Sequence, residues 1–361
     1  MTIRIFSEGD IAAAAALFAR VYPEHRWRSQ SACEAYFHEV LFENPWRDLA
    51  IPSWVAEENG RMAGFYAVLP RKMLLRGRPI RVAVGCQFMM DPANRNSLAA
   101  LQLAKACISG PQDLTFADGA SAQARRMWVA IGGAAPLLYG LHWIRLLRPA
   151  RYALSLAEER GAVNRSVAIA ARPLCEVADA LFARLPPNRF LRNDGPPDDR
   201  LDPASMMSHF PEVTGGSALQ PDYDAASLAW LLEQTARKKR HGDLRLRAVI
   251  GGKRNLIGWY LYYLKAGGAG EVIQIAALDG CFDQVMQHLL ADAWNNGATA
   301  LRGRVEPRFI QELSDRHCWF RREGPWTLIH SRDAEIVDAI QQGDAFLSRL
   351  EGEWWLRFQG G

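Results

Sequence analysis

The chain contains no run of apolar residues approaching the ~20 that a membrane-spanning helix needs, and none of its cysteines form a CxxC pair. Cys33, Cys86, Cys107, Cys175, Cys281 and Cys318 are scattered, several of them inside apolar patterns. That predicts buried reduced thiols and excludes a disulfide framework or a zinc ribbon. The opening residues MTIRIFSEGD lack the charged-then-apolar order of a secretory signal. A cytoplasmic protein with no membrane span is the expectation.

Also missing are G-x-x-x-x-G-K-[ST] for a nucleotide, G-x-S-x-G for a serine hydrolase and H-E-x-x-H for zinc. The eight histidines are dispersed, so no metal is assigned. A large excess of one charge sign is missing as well. The net charge is +4, with Lys and Arg spread through the chain, which argues against a nucleic-acid partner. The densest basic run, Arg237 to His241, fits the last turn of a helix, where cations meet the negative end of the macrodipole. An acidic partner is its other reading.

What is present is 361 residues, 49% apolar, enough for two domains of ordinary size. The chain also repeats itself. WVAEENGRMAGFYAVLP (54–70) and RAVIGGKRNLIGWYLYYL (247–264) each read as a hairpin: a β-rich run, a polar turn with glycine, and a second β-rich run. After each comes a strand ending in Asp (Val82 to Asp91; Glu271 to Asp279), then a helix stopped near Gly110 or Gly297. Another strand follows (113–118; 298–305), then a helix (121–133; 307–318) and a final β-rich segment. Helices precede both hairpins. Between the halves, 192–224 is dense in Pro, Gly, Asp and Ser and reads as a linker or surface excursion, and 173–185 before it is helical in period.

Two copies of one α+β unit explain the length. The expected division is an N-terminal domain over 1–155, a connecting helix and linker over 156–222, and a C-terminal domain over 223–361. Each domain is expected to be a mixed, mostly antiparallel sheet flanked by helices.

The turn after the first long strand, MMDPANRNSLAALQLAKA (89–106), poses the chemical question. A pyrophosphate needs backbone N–H groups converging on a helix N-terminus, where the helix dipole adds attraction. Here Asn96 and Ser97 can donate to such a cradle or simply cap the helix.

The order helix, helix, hairpin, strand, turn, helix, strand, helix, strand resembles the GNAT acyltransferase superfamily. Its doubling is similar to the tandem arrangement of mycothiol synthase and N-myristoyltransferase. In that family the turn runs Pro, two residues, Arg or Gln, two residues, Gly, one residue, Gly or Ala. Pro92, Arg95 and Ala100 match, while Leu98 stands where the first glycine falls. The resemblance implies a central sheet that splays between its fourth and fifth strands and holds an acyl-CoA thioester there. It assigns donor binding to Phe88, Met89, Met90, Arg95, Asn96, Ser97, Leu98 and Ala100, with an oxyanion contact from the backbone near Phe88 to Met90.

The helix after the fifth strand offers Ser121, Ala124, Trp128, Gly132 and Gly133 in the family's Asn-Ala-Tyr-Gly-Phe spacing. Trp128 then falls where the family keeps the tyrosine that protonates the leaving thiolate, a task for which an indole N–H is too weakly acidic. A core tryptophan is its other reading. Asp118 and His142 are the candidate general bases, with Glu57 and Tyr139 behind them. The second copy has no Pro-x-x-Arg, and Asp283 near the arginine's place opposes a diphosphate. The first copy is therefore expected to hold the donor and the second to complete the acceptor groove.

The run CQFMM (86–90), with Leu98 and Trp128, forms either an adaptable apolar wall for a longer acyl chain or ordinary core. A basic strip, Arg71, Lys72, Arg76, Arg78 and Arg81, either favours an acidic acyl carrier protein as donor or guards a hairpin edge. The acceptor expected is a small amine or a peptide, including a Lys- or Orn-type side chain. A binding module with degenerate turns and no catalysis is the competing class. In a third, structural class, EGEWWLRF (351–358) is a contact for an assembly; its other reading is a strand closing its own sheet.

Overall fold

The computed structural model describes the chain apart from residues 25–26, 95–97, 186–187, 189–198, 215, 253–254, 323 and 359–361. The first half runs β1 (Thr2–Ile5), α1 (Ile11–Val21), α2 (Gln30–Phe42), β2 (Trp54–Glu58), β3 (Arg61–Leu75), β4 (Arg78–Met90), α3 (Leu98–Ile108), β5 (Leu114–Ala120) and α4 (Ala122–Ala130). Next come β6 (His142–Leu146), α5 (Pro149–Glu159), α6 (Arg165–Phe182), β7 (Asp199–Arg200), α7 (Pro203–Val213), β8 (Leu219–Pro221) and α8 (Ala225–Arg237). The remainder is β9 (Asp243–Ile250), β10 (Leu256–Leu264), β11 (Ala269–Ala277), α9 (Phe282–Asn295), β12 (Ala300–Arg304), α10 (Ile310–Asp315), β13 (Trp319–Arg321), β14 (Trp326–Ser331) and α11 (Ala334–Gln341).

The expected α+β architecture is present as two mixed sheets. One compact unit comprises Met1–Gly140, Ser217–Arg237 and Pro325–Gly361; the other comprises Leu141–Gly216 and Lys238–Gly324. These units are discontinuous in sequence, unlike the continuous spans 1–155 and 223–361. The cause is strand membership. β6, which the repeat predicts as the close of the first sheet, pairs with β12 and β13 of the second, and β14 pairs with β5 of the first. Within 156–222, α6 and α7 are formed helices.

In the first unit the strand order is β1-β2-β3-β4-β5-β14, with β8 on the far end of β3. All pairs are antiparallel except β4 with β5. The long β3–β4 hairpin turns at Arg76 and Gly77, both at positive φ, the backbone a tight hairpin turn requires. One face packs Tyr66, Val68, Ala83 and Met90 against Ala99, Leu103 and Cys107 of α3 and against Trp128. The other face carries a run of aromatic contacts through Phe18, Phe37, Phe65 and Phe358. Each such side chain contributes about 1.5–3 kcal/mol by leaving water.

The β4–β5 ladder is short. Val82, Ala83 and Val84 pair with Leu114, Thr115 and Phe116; beyond that point β4 continues to Met90 and β5 to Ala120 without pairing to each other. Two features part them. A bulge interrupts β4 opposite Tyr66 and Ala67, leaving Gln87 unmatched at φ +46°, and β5 turns its free edge to β14.

In the second unit the order is β13-β6-β12-β11-β10-β9-β7. Its parallel pair is equally brief, Ala269 to Glu271 against Ala300 to Arg302. The predicted helix stops differ: Gly297 adopts the left-handed backbone at φ +82°, whereas Gly110 has no positive φ.

Candidate active site

The parted strands of the first unit enclose a cavity of about 170 Å³. Its walls are Gly85, Cys86, Gln87 and Phe88 of β4, and Ala117, Gly119 and Ala120 of β5. Tyr22, Tyr66, Ser121, Ala124, Met127, Trp128, Leu328 and Glu353 complete it. A larger neighbouring cavity of about 480 Å³ shares Tyr22, Phe88, Ser121, Ala124 and Met127 and adds Met90, Ala100 and Leu101. Among the described residues, none that lines it carries an ionised side chain.

Glycines shape the smaller cavity. A Cβ added to Gly85 would stand 2.2 Å from the Tyr66 hydroxyl, and one on Gly119 would stand 1.9 Å from Glu353 Oε1. Both strands therefore surrender a side chain so that a polar group can lie against their backbone. Ser121 opens α4 by accepting the Ala124 N–H at 3.1 Å, which fixes the start of the helix at the cavity's edge.

Among the described residues, Glu353 is the one charged residue in the wall. It comes from the tail 351–358, which forms turns rather than the closing strand predicted for it. Glu351 accepts the Ser348 N–H, Glu353 donates its own N–H to Asp118 Oδ1 at 2.8 Å, and Arg357 donates its N–H to the Tyr36 hydroxyl at 2.8 Å. Trp355 is buried and the Arg71 guanidinium lies near its ring, so the tail is a fixed part of this unit rather than an exposed contact.

The neighbours of Glu353 stay neutral. Burial pushes the Tyr66 phenol well above its usual 10, with the Glu353 charge adding to the effect. The Cys86 thiol is likewise raised well above 9, first by burial and then by Glu353. The Tyr66 phenol keeps its proton, and the Cys86 thiol is disfavoured as a thiolate nucleophile.

The sequence-predicted residues divide. Phe88 lines both cavities, and Met90 and Ala100 line the larger one. Arg95, Asn96 and Ser97 lie outside the described residues. Met89 is fully buried and lines neither cavity, because side chains alternate along the strand and the bulge sets which ones face the opening. Leu98 is 71% exposed at the first turn of α3 and also lines neither. The apolar wall thus keeps Cys86, Phe88, Met90 and Trp128 and loses Met89 and Leu98.

Trp128 lines the cavity at 2% exposure, and its Nε1 donates to the Ile329 carbonyl at 2.9 Å. Its one N–H is engaged. Asp118 is 3% exposed and receives the tail; a Cβ on Gly352 would stand 2.1 Å from it. It is not among the lining residues, so its carboxylate braces Glu353 instead of facing the opening. His142 belongs to the other unit, opposite Arg304 and Arg321 in its sheet. Glu57 pairs with Arg4, and the Tyr139 hydroxyl donates to the Ala345 carbonyl.

The basic strip divides, with Lys72 exposed. Arg76, Arg78 and Arg81 pair with Glu335, Asp333 and Asp48, and Arg71 is buried with its guanidinium 3.6 Å from the Trp46 ring centre. Asp283 pairs with Arg316 at 2.9 Å. Among the described residues, no group of three or more His, Cys, Asp or Glu could hold a metal, and no helix is long and apolar enough to cross a membrane.

No family model matches the chain, and no curated protein matches its sequence. Solved structures do match its fold. A probable N-acyltransferase of unknown function from Enterococcus faecalis aligns with a TM-score of 0.55 at 9% identity, over 91% of this chain and 72% of that one. A GCN5-related N-acetyltransferase from Anabaena variabilis also scores 0.55, at 12% identity over 94% of this chain and 74% of that one. Eis1 from Mycobacterium abscessus scores 0.52 at 11% identity, covering 93% and 75%. The fold is that of the GCN5-related N-acetyltransferases. The splay between β4 and β5 of this GNAT-fold chain is the opening that the sequence resemblance implied.

Tyr22, Tyr66, Gln87, Gly119 and Glu353 were not singled out from the sequence for the site. Gly85 and Gly119, set inside β-rich runs, were the available signal of close approach. Glu353 had none, since it reaches the cavity from 235 residues beyond Asp118.

Proposed function

We propose that the first unit is an N-acyltransferase that moves an acyl group from a CoA-type thioester to a primary amine. The observation that carries this reading is the cavity at the β4–β5 splay, whose wall joins an unpaired strand edge to a carboxylate. The uncharged neighbouring cavity suits the pantetheine arm, and Phe88, Met90, Ala100 and Leu101 lie along it. Two structures of the same fold, a GCN5-related N-acetyltransferase and a probable N-acyltransferase, support the same class.

The chemistry asks for alignment, deprotonation and a place for the oxyanion. Glu353 takes a proton from the ammonium, and the freed nitrogen attacks the thioester carbon. The backbone N–H groups of β4 at its bulge, which have no β5 partner, stabilise the tetrahedral oxyanion. The C–S bond then breaks as the attacking nitrogen gives up its second proton, which passes to the leaving sulfur, so that the products are an amide, a free thiol and the protonated base. The Tyr66 phenol, which burial keeps protonated, lies in the same wall and can hydrogen-bond the departing sulfur. Trp128 has no part in proton transfer, and Asp118 positions the base. The wall of Phe88, Met90 and Trp128 admits acyl groups longer than acetyl.

The test is thiol release from an acyl-CoA in the presence of primary amines. Turnover that falls by roughly 10²–10⁴ in Glu353→Gln supports the assignment. Turnover unchanged in that variant refutes it.

A further inference from the structure

α6 is held to α5 by one side and leaves its large aliphatic side chains in solvent on another. Asn164 caps the helix by accepting the Val167 N–H at 2.9 Å. Asp179, one of its buried residues, accepts the Ala150 and Arg151 N–H groups at the start of α5 at 2.8 and 3.1 Å. Val167, Ala170, Leu174, Val177 and Leu181 are exposed, Leu174 to 76% and the other large ones to more than half. In an ordinary surface helix such a stripe faces the core. The spacing alternates three and four residues, which is the spacing of a seam between two helices. Ala171, Ala178 and Ala180 flank it, so no long side chain holds a second helix away.

We infer that this stripe of α6 is a dimer interface, on which α6 of a second copy of the chain lies antiparallel to form a four-helix bundle from two α5–α6 hairpins. The order of sizes along the stripe favours self-pairing. A two-fold axis between Leu174 and Val177 sets each against the other, and sets Ala170 against Leu181 of the partner subunit, so large meets small. A parallel pair would set Ala170 on Ala170 and Leu181 on Leu181, with a gap at one layer and crowding at the other, and would align the two helix dipoles. With Leu185, next in the same spacing and also half exposed, the large side chains present on the order of 500 Å² of apolar area. Two copies then remove roughly 1,000 Å² from water, the floor for a specific interface, and the flanking alanines add to it. A lipid surface fits less well. The stripe has no aromatic residue, α6 has no lysine, and its exposed charges, Arg165, Arg172 and Glu176, are of both signs.

The experiment uses the full chain. Sedimentation equilibrium at micromolar concentration should give twice the chain mass of 40.4 kDa. Leu174→Lys with Leu181→Lys places four ammonium groups in the seam and should weaken the dimer by about 10²-fold or more. Both positions are exposed in the single chain, so circular dichroism should be unchanged. Arg172→Glu, off the stripe, should leave the dimer intact. Direction is read by oxidative cross-linking against the wild-type background. A mixture of Ala170→Cys and Leu181→Cys should give a linked dimer that neither variant gives alone. A wild-type chain that stays monomeric up to about 100 μM overturns the inference. If that monomer also co-sediments with vesicles of anionic phospholipid, the face belongs to a lipid surface instead. A dimer that survives the two lysines at wild-type affinity overturns the placement on α6, and cross-linking of each cysteine variant by itself overturns the antiparallel pairing.

Discussion

Replacing Gly119 with alanine should disable the enzyme without unfolding it. A methyl carbon at this position would stand 1.9 Å from Glu353 Oε1, 2.7 Å from its Cδ and 3.3 Å from its Cγ. The atoms it meets are the far end of a flexible side chain, so the carboxylate retreats and the backbone stays. The retreat required is about 1 Å or more, and a misplacement of that size costs roughly 10²-fold in rate. That equals about 2.7 kcal/mol of lost transition-state stabilisation. Gly119 has no positive φ, so alanine is tolerated there, and the smaller conformational freedom of the unfolded chain offsets part of any packing strain. The assay is kcat/KM for acyl-CoA and amine, with thermal unfolding as the control. Glu353→Gln alone should cost 10²–10⁴, and the double variant should cost no more than Glu353→Gln, because the group the methyl displaces is then no longer a base. Gly119→Ala at wild-type rate, or a double variant whose loss is the product of the two single losses, would refute the reasoning.

Two further outcomes follow from the same structure. Trp128→Phe removes the buried hydrogen bond to Ile329 and should lower stability by about 1–3 kcal/mol in denaturant titration. The pH dependence of kcat should keep its shape, because the indole transfers no proton; a lost ionisation would contradict this. At the edge of the sheet, Arg4 holds the Asp10 carboxyl below its ordinary 3.8 through a side-chain hydrogen bond, with Ser7 assisting. Because the folded-state value is depressed, the stabilisation is present above the unfolded value near 4 and is lost as pH falls through the folded one. With solvent screening, Asp10→Asn should cost about 0.5–1 kcal/mol at pH 7, and the gap to wild type should close under strong acid. A gap independent of pH would refute the pairing.

The elements that were legible in the sequence are those with local causes. The hairpin at 54–70, the strand ending at Asp91 and the helix opened by Ser121 follow from period, turn residues and capping. The splay between the fourth and fifth strands was implied by the family resemblance; the strands part after Val84 and Phe116. What failed depends on register and on distance. Met89 was grouped with Phe88 and Met90, but side chains alternate along the strand, so it faces away from both and lines neither cavity. The exchange of β6 for β14 joins segments far apart in the chain, and no local pattern encodes it. The same holds for Glu353, which Asp118 and the surrounding tail contacts deliver to the cavity. The ion pairs of Arg76, Arg78 and Arg81 were hidden for the same reason, since Glu335, Asp333 and Asp48 are remote in sequence.

The most direct measurement is calorimetric titration of the protein with acetyl-CoA and a medium-chain acyl-CoA, in wild type, Ala124→Trp and Asp283→Lys. Ala124 lines both cavities of the first unit, and an indole there fills the space proposed for the thioester, whereas Asp283 belongs to the second unit and pairs with Arg316. One equivalent of donor bound by wild type and by Asp283→Lys, with affinity reduced by about 10²-fold or more in Ala124→Trp, is the predicted result. Donor binding that survives Ala124→Trp, or no binding of either acyl-CoA to the wild-type protein, would contradict the placement of the donor at the β4–β5 splay.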